Sequence, residues 1–257
     1  MKWPASITLI RHGQSEYNAL RDMKYKDPMY QAFLKAYKSD YRSPACMSLA
    51  KDVWEKYGLN VGDYDTKLSG LGHEQARTTG AALARLSKFA PDVVLVSPYL
   101  RTRQTLEEMV TGGLDITQAK VVIEDRIREQ EHGLSSLYSD WRVFHVHHPE
   151  QKLLREQQGP YWYQYPQGES VSMIRDRMRD VTSMMIREFS GLHVMLVTHH
   201  LSILSLRANY ERLSDVEFIE LDKQKKPVNC GVTRYIGNPR TGTDGRLELS
   251  EYNTKFY

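Results

Sequence analysis

The sequence predicts an α/β fold: a three-layer α/β/α sandwich with a mostly parallel central sheet and a helical insertion. Three observations support this prediction. Short runs of apolar and β-branched residues alternate along the chain with longer segments of helical periodicity. Polar residues begin abruptly where these runs end, as expected at the carboxyl ends of buried strands. One stretch, residues 22–65, departs from the alternation and carries a helical pattern of its own.

The composition is typical of a soluble globular protein. The chain has 257 residues, enough for a substantial core, and we interpret residues 1–257 as one domain. No apolar run is long enough to span a membrane, and the first strand follows the amino end too closely for a signal peptide. The chain has only two cysteines, far apart in sequence, which favours a reducing cytoplasm. Its net charge of +3 is too small to indicate nucleic acid as a partner. We expect no membrane association either.

The first strand is predicted over Ile7–Ile10 and leads directly into Arg11-His12-Gly13-Gln14-Ser15-Glu16-Tyr17-Asn18. A neutral imidazole can attack phosphorus, an arginine can grip a phosphoryl oxygen, and a glycine lets the backbone approach closely. His12, Arg11 and Gly13 supply these three groups.

A helix is predicted from near Ser15 to about Arg21, with its amino end toward an anion bound at the strand end. Ser15 and Asn18 would then add neutral hydrogen-bond donors to the same site. The motif therefore indicates a place for a small phosphorylated substrate.

Residues 22–65 form a helical insertion rich in tyrosine and lysine. Helices are predicted over Gln31–Lys38 and Met47–Tyr57, the second with an apolar stripe. Two interpretations remain open for this insertion: a surface subdomain, or a cap that covers the substrate.

The remaining elements follow from the same patterns. They are a helix from Ser69 to about Lys88, a strand over Val93–Val96 that leads into another helix, a strand over Val121–Glu124, a helix from Ser170 to about Phe189, a strand over His193–Val197, a helix over Leu201–Tyr210, and late strands over Gly231–Ile236 and Arg246–Tyr252. Leu134–Gln167 shows no clean periodicity. His145, His147 and His148 in that segment are interpreted as residues of a solvated loop, with metal binding as the less favoured alternative.

Several charged and imidazole side chains share one position relative to the predicted sheet. Arg11 with His12, Arg101 and His199 all stand at carboxyl ends of strands, and Glu129 follows another strand. Because open α/β sheets bind ligands at this edge, we expect these residues to meet in one crevice. Arginine and histidine around a small cavity suit a dianionic phosphoryl group. We expect no metal ion and no cofactor, since no cluster has metal-ligand spacing.

The chain resembles the histidine phosphatase superfamily, also called phosphoglycerate-mutase-like, over nearly all its length outside the insertion. The motifs that carry the resemblance, in matching order and spacing, are the run from Arg11 to Asn18, Leu68-Ser69 with Gly72 and Gln75-Ala76, Ser97-Pro98 with Leu100-Arg101 and Thr105, Arg128-Glu129 with Gly133, Gly168-Glu169-Ser170, and Val197-Thr198-His199. A weaker resemblance, of residues 128–133 and 159–170, points to the broad-range acid phosphatases of fungi and plants.

The resemblance implies a role for each site residue. His12 would be the nucleophile that becomes phosphohistidine, while Arg11, Arg101 and His199 would hold the phosphoryl oxygens. Glu129 would be the general acid, and we expect a protonated His199. A metal-independent phosphatase is the favoured interpretation. A phosphoglycerate-type mutase and a non-catalytic module that binds a phosphorylated ligand are the alternatives.

Three residues depart from the family pattern. Gln14 replaces a common glutamate, His200 replaces the usual glycine after the second histidine, and Gln164 replaces an arginine. We expect His200 to lie at the substrate site, where its ring either narrows the pocket or adds a hydrogen-bond donor.

Overall fold

A computed structural model describes residues 2–59, 61–86 and 90–257 of the chain. Its strands and helices are, in chain order, β1 (Ser6–Arg11), α1 (Glu16–Lys24), α2 (Pro28–Asp40), α3 (Pro44–Tyr57), α4 (Gly70–Ala84), β2 (Val93–Val96), α5 (Leu100–Thr111), β3 (Lys120–Ile123), α6 (Trp141–His147), α7 (Pro149–Gln158), α8 (Val171–Glu188), β4 (His193–Thr198), α9 (His200–Tyr210), α10 (Asp215–Gln224), β5 (Val232–Asn238) and β6 (Arg246–Thr254). The expected end of α4, near Lys88, lies outside the described residues. None of the described helices combines the length and the apolar character needed to cross a membrane.

The strands form one six-stranded sheet in the order β3-β2-β4-β1-β5-β6. The first four strands of this order pair in parallel, and β5 and β6 add antiparallel pairs at one side. The predicted fold class is confirmed: the sheet is mostly parallel and its strands alternate with helices.

Both faces of the central strands are buried, which explains their continuous apolar runs. On one face, Ile10, Val96 and Val197 pack in a core cluster with residues of α4 and α5. On the other face, Leu9 and Leu196 are paired in register and fully buried. Burying a leucine side chain contributes about 1.5–3 kcal/mol, so these strands anchor the sheet.

The chain divides into two compact units. The first comprises Met1–Ser15, Lys67–Glu129 and Met173–Tyr257, and it contains the sheet. The second comprises Glu16–Thr66 and Gln130–Ser172. The helical insertion at 22–65 thus lies within the second unit. That this segment is an insertion within a single domain stays a prediction. That it covers the substrate as a cap also stays a prediction.

The second unit is held together by contacts between residues far apart in sequence. The Nζ atom of Lys24 lies 2.6 Å from Oδ2 of Asp140, and both side chains are buried. The Tyr30 hydroxyl donates to the same oxygen at 2.6 Å. Breaking a buried pair leaves an uncompensated charge, so this contact joins α1 and α2 firmly to the start of α6.

Two parts of the sequence-based prediction were wrong about secondary structure. The segment 134–167, in which no clean periodicity was found, contains α6 and α7, and His145 is buried on α6 rather than in a solvated loop. The prediction also passed over α10, although Ser214 and Glu217 form a capping box at its start. That spacing is a readable signal for the beginning of a helix.

Candidate active site

His12 follows β1 directly, and its ring is held in one tautomer. Its Nδ1 atom lies 2.7 Å from the carbonyl oxygen of Gly13. A carbonyl can only accept, so Nδ1 carries the proton and Nε2 keeps its lone pair. Burial, with the charges of Arg101 and Arg11, holds the pKa of His12 well below its usual value of 6.5. His12 is therefore a neutral imidazole with an unprotonated Nε2 at neutral pH.

His199 follows β4, the strand next to β1, and its ring centroid lies 5.2 Å from that of His12. Its Nε2 atom is 2.7 Å from Oγ of Ser97, which follows the neighbouring strand β2. The Nδ1 atom is buried and has no hydrogen-bond partner among the described residues. A buried polar atom of this kind costs free energy until a partner binds it.

The expectation of a protonated His199 is wrong for the protein by itself. Burial, followed by the charge of Arg101, holds the pKa of His199 well below 6.5. The ring is therefore neutral at neutral pH. A dianionic phosphoryl group bound beside it would supply the opposite charge and raise this pKa.

The two predicted arginines lie at the same edge of the sheet. The guanidinium of Arg101 stacks 4.7 Å above the ring of Tyr99, whose centroid in turn lies 5.0 Å from that of His199. Arg11 donates from Nη1 to the carbonyl oxygen of Pro227 at 2.8 Å. Both side chains are buried, and both act on the pKa values of the two histidines. The crevice thus combines two cations with two neutral imidazoles.

Three residues from other motifs of the family resemblance fix the loop after His12. They are Ser69, Gln75 and Thr105. The Gly13 amide donates to Oγ1 of Thr105 at 3.0 Å. The Gln14 amide donates to Oε1 of Gln75 at 2.9 Å, and the Gln14 side-chain oxygen accepts from Ser69 at 2.8 Å. Those motifs therefore support the loop, and Gln14 has taken a structural role in it.

The structure shows a packing reason for glycine at position 13 in addition to the one that the sequence indicated. A Cβ atom on Gly13 would lie 2.5 Å from the carbonyl oxygen of Gly72, at the start of α4. The close approach that requires a glycine here is thus made by the protein's own backbone. Ser15, also buried, extends the same packing through an isolated bridge to Leu68.

Glu129 is held at the amino end of α9. The Leu201 amide donates to its Oε1 atom at 3.3 Å. Its backbone carbonyl accepts from Arg177 at 3.0 Å, and that guanidinium also donates to the carbonyl of Arg128 at 2.9 Å. Ser202 donates to the same Arg128 carbonyl at 2.6 Å. The carboxylate is therefore placed by a fixed backbone.

Sequence reasoning missed the segment before β5 that supports Arg11 and His12. The Asn229 side chain donates to the His12 carbonyl at 3.0 Å, and the Cys230 amide donates to the Arg11 carbonyl at 3.0 Å. Arg177 was missed as well. The sequence offered no signal for either, because both act through backbone carbonyls far away along the chain. Burial raises the pKa of Cys230 to about 12, which agrees with its interpretation as a small buried residue.

The structure brings eight of the nine predicted site residues into the first unit: Arg11, His12, Gly13, Ser15, Arg101, Glu129, His199 and His200. The ninth, Asn18, is buried on α1 in the second unit. Glu131, the other carboxylate near the predicted acid, also belongs to the second unit. In the part of the chain that the structure describes, no three His, Cys, Asp or Glu side chains are grouped to hold a metal ion.

The sequence matches the family model of the histidine phosphatase superfamily (branch 1) over residues 50–242, which is most of its length. The chain belongs to this superfamily. A relative, the phosphoglycerate mutase-like protein AT74 of Arabidopsis thaliana, is 30% identical over 159 residues. That alignment covers 54% of this chain and 47% of AT74, so the chain spans about half the length of this relative.

Solved structures of other histidine phosphatase fold proteins superpose on the whole chain. A mycobacterial glucosyl-3-phosphoglycerate phosphatase, in complex with VO3, has a TM-score of 0.64 and 20% identity, covering 98% of this chain and 100% of the other. A putative α-ribazole-5'-P phosphatase from Escherichia coli has a TM-score of 0.67 and 17% identity, covering 98% and 97%. At these identities the likeness establishes the fold.

Proposed function

We propose that the protein is a metal-independent phosphatase that hydrolyses phosphate monoesters through a phosphohistidine on His12. The observation that carries the proposal is the hydrogen bond from His12 Nδ1 to the Gly13 carbonyl. It leaves Nε2 as a nucleophile, and the low pKa of the buried ring keeps that atom unprotonated. The superfamily membership supports the same chemistry.

In the first step, His12 Nε2 attacks phosphorus in line, a P–N bond forms and the P–O bond to the alcohol breaks. Charge on the phosphoryl oxygens is met by Arg11 and Arg101. If the Ser97 hydroxyl donates to Nε2 of His199, Nδ1 of His199 carries the ring proton and donates to a phosphoryl oxygen. This role is supported by the fact that Nδ1 of His199 is buried and has no hydrogen-bond partner among the described residues.

In the second step, water cleaves the P–N bond and releases phosphate. Glu129 protonates the leaving alcohol in the first step and takes a proton from the attacking water in the second. Its fixed position at the amino end of α9 supports this assignment, because proton transfer requires a placed carboxyl group.

The test is p-nitrophenyl phosphate hydrolysis in EDTA from pH 4 to pH 8, with wild type, His12→Ala and His193→Ala. We expect turnover in wild type and in His193→Ala, whose ring lies exposed at the start of β4. His12→Ala should lose at least about 10³-fold in kcat, as expected when a nucleophile is removed. Turnover retained in His12→Ala, or abolished by EDTA, would contradict the proposal.

A chemical trap provides the second measurement. Wild type mixed with ³²P-labelled substrate and quenched in base should carry acid-labile, base-stable label, and His12→Ala should carry none. A label that is instead stable in acid would indicate a serine or threonine ester and overturn the assignment.

The second candidate is a phosphoglycerate-type mutase, favoured by the match to a phosphoglycerate mutase-like protein. A mutase returns the phosphoryl group from histidine to its substrate, so it needs a bisphosphorylated primer. Addition of 2,3-bisphosphoglycerate separates the two functions. Primer-dependent conversion of 3-phosphoglycerate to 2-phosphoglycerate, faster than phosphate release, would favour the mutase.

A further inference from the structure

His200 is the first residue of α9 and stands where the family pattern has glycine. Its side chain is buried, with 8% of the residue exposed, and it points toward α10. There its Nε2 atom lies 2.5 Å from Oδ1 of Asp222. A ring in place of a glycine at the candidate active site requires a specific explanation.

The Asp222 carboxylate fixes the tautomer of His200. Although burial opposes ionisation, the hydrogen bond from His200 and the charge of Lys226 keep the pKa of Asp222 below its usual value. Burial keeps the pKa of His200 below 6.5 despite that hydrogen bond. The pair is therefore a carboxylate and a neutral imidazole, in which Nε2 carries the proton and Nδ1 is an acceptor.

His200 is next in sequence to the residue whose backbone amide binds Glu129. Glu129, the proposed acid for the leaving alcohol, accepts from this amide, that of Leu201. His200 lies close enough to His12 and to Glu129 to interact electrostatically with both. Glu129 and Asp222 are thus both neighbours of His200. The Nζ atom of Lys226 is 3.7 Å from Oδ1 of Asp222.

We propose that His200, oriented by Asp222, determines which alcohol the site accepts. Its Nδ1 accepts a hydrogen from a hydroxyl or ammonium group on the alcohol part of the ester. A carboxylate at the same place would meet this acceptor and the two acidic side chains, and it would be disfavoured. The inference rests on the proposed phosphatase function and narrows its substrates to esters of hydroxylated or amino alcohols.

A purely structural role for His200 makes a different prediction. Asp222 lies on α10, and the segment after α10 holds Arg11 through the Pro227 carbonyl and His12 through Asn229. If the pair only fastened this segment, its loss would disturb the phosphoryl site itself. All phosphate esters would then suffer equally.

The test uses two esters that differ at one group. In sn-glycerol 3-phosphate the terminal carbon is a hydroxymethyl group, and in 3-phosphoglycerate it is a carboxylate. The measured quantity is the ratio of kcat/KM for these two esters, with p-nitrophenyl phosphate as reference. We expect wild type to prefer glycerol 3-phosphate by at least about 10-fold, in line with one discriminating hydrogen bond plus charge repulsion.

The variants His200→Ala and Asp222→Asn test whether these two residues cause the preference for glycerol 3-phosphate. His200→Ala should lower the ratio about 10-fold, and Asp222→Asn, which still accepts from Nε2 but lacks the charge, about 3-fold. The matched control is His73→Ala. It breaks another histidine–carboxylate contact, of 2.9 Å, between His73 on α4 and Glu108 on α5. It should leave the ratio unchanged.

Two outcomes would overturn the inference: a wild-type preference for 3-phosphoglycerate, or an equal loss on all esters in His200→Ala. Failure of the proposed function is recognised separately, as absence of p-nitrophenyl phosphate turnover in wild type. In that case the ratio of the dissociation constants of the two esters, measured by calorimetry with wild type and His200→Ala, decides the inference.

Discussion

Gly13 and Gly72 meet backbone to backbone, and a Cβ atom on Gly13 would lie 2.5 Å from the Gly72 carbonyl oxygen. A Cβ atom on Gly72 would in turn overlap the carbonyl oxygen of Gln14. The two glycines therefore fix the loop after the candidate nucleophile against the start of α4. Neither atom in conflict belongs to a flexible side chain, so the backbone itself must move to relieve the overlap.

Gly72→Ala should therefore displace this loop. We expect a loss of about 1–3 kcal/mol in the free energy of unfolding, as for other overpacked sites, and a larger proportional loss of kcat. Urea unfolding and p-nitrophenyl phosphate kinetics measure the two effects. Gly70→Ala is the matched control on the same helix, because a Cβ atom there meets nothing within 4 Å. Equal losses of stability and of kcat in the two variants would show that the close approach of Gly72 to the loop after His12 is unimportant.

Thr105 links the same loop to α5. Its hydroxyl oxygen accepts from the Gly13 amide at 3.0 Å and its hydroxyl donates to the Arg101 carbonyl at 2.6 Å. Thr105→Val keeps the shape but leaves the buried Gly13 amide without its acceptor, at a cost of about 1–3 kcal/mol. We expect lower stability and weaker inhibition by vanadate, since the loop after His12 is held less firmly.

The control for this change lies on the same helix. Thr111 is exposed, and its hydroxyl donates to the Glu107 carbonyl at 3.0 Å. Thr111→Val should alter the free energy of unfolding by no more than about 0.5 kcal/mol and leave vanadate inhibition unchanged. A comparable loss in both variants would mean that the side-chain hydroxyl matters for the helix and not for the loop.

The sequence was sufficient to predict the parallel strands and the residues that follow them. Strands buried on both faces read as continuous apolar runs, and polar chemistry begins where they end. This is why His12, Arg101 and His199 could be assigned to one edge before the structure was known. The protonation of His199 could not be predicted in the same way, because it depends on burial and on the charge of Arg101, which only the folded chain brings together.

The composition of the second unit also escaped prediction. This unit is built from two segments, Glu16–Thr66 and Gln130–Ser172. Contacts between them include the ion pair of Lys24 with Asp140 and the hydrogen bond from Trp54 to the Leu137 carbonyl. These contacts join residues about a hundred positions apart, and no local pattern encodes them. Helix α6 has only seven residues, too few to show a period. Helix α10, in the first unit, also escaped prediction, although its capping box is a local signal that could have identified it.

Arg101 adds to the effect of burial on the pKa of both site histidines. Burial lowers the pKa of each ring, and Arg101 is the strongest charge acting in the same direction. Arg101→Gln removes a positive charge, so both pKa values should rise toward 6.5, and the neutral fraction at pH 6 should fall. NMR titration of ¹³C-labelled histidine measures this directly. Arg77→Gln, which removes an exposed guanidinium bonded to Glu108, is the control and should not move either titration. An unchanged or lower pKa of His12 in Arg101→Gln would contradict the electrostatic account.

His145 should make the protein sensitive to acid. Burial, with the charges of Arg155 and Lys152, lowers its pKa to about 3, while in the unfolded chain it is about 6.5. The folded state therefore binds fewer protons than the unfolded state between these values. Stability should fall as the pH drops below about 6.5, with His145 contributing a slope of about 1.4 kcal/mol per pH unit.

His145→Gln removes this titration and retains a side chain able to bond the Tyr37 hydroxyl, which lies 3.1 Å from Nδ1 of His145. Urea unfolding between pH 4.5 and pH 7.5 should give a shallower fall in stability for this variant than for wild type. His12 and His199, buried with lowered pKa values, continue to contribute in both proteins, so only the difference in slope reports on His145. His193→Gln, at an exposed position, should follow wild type. Parallel slopes in wild type and His145→Gln would show that the unfolding transition does not require the buried ring to remain neutral.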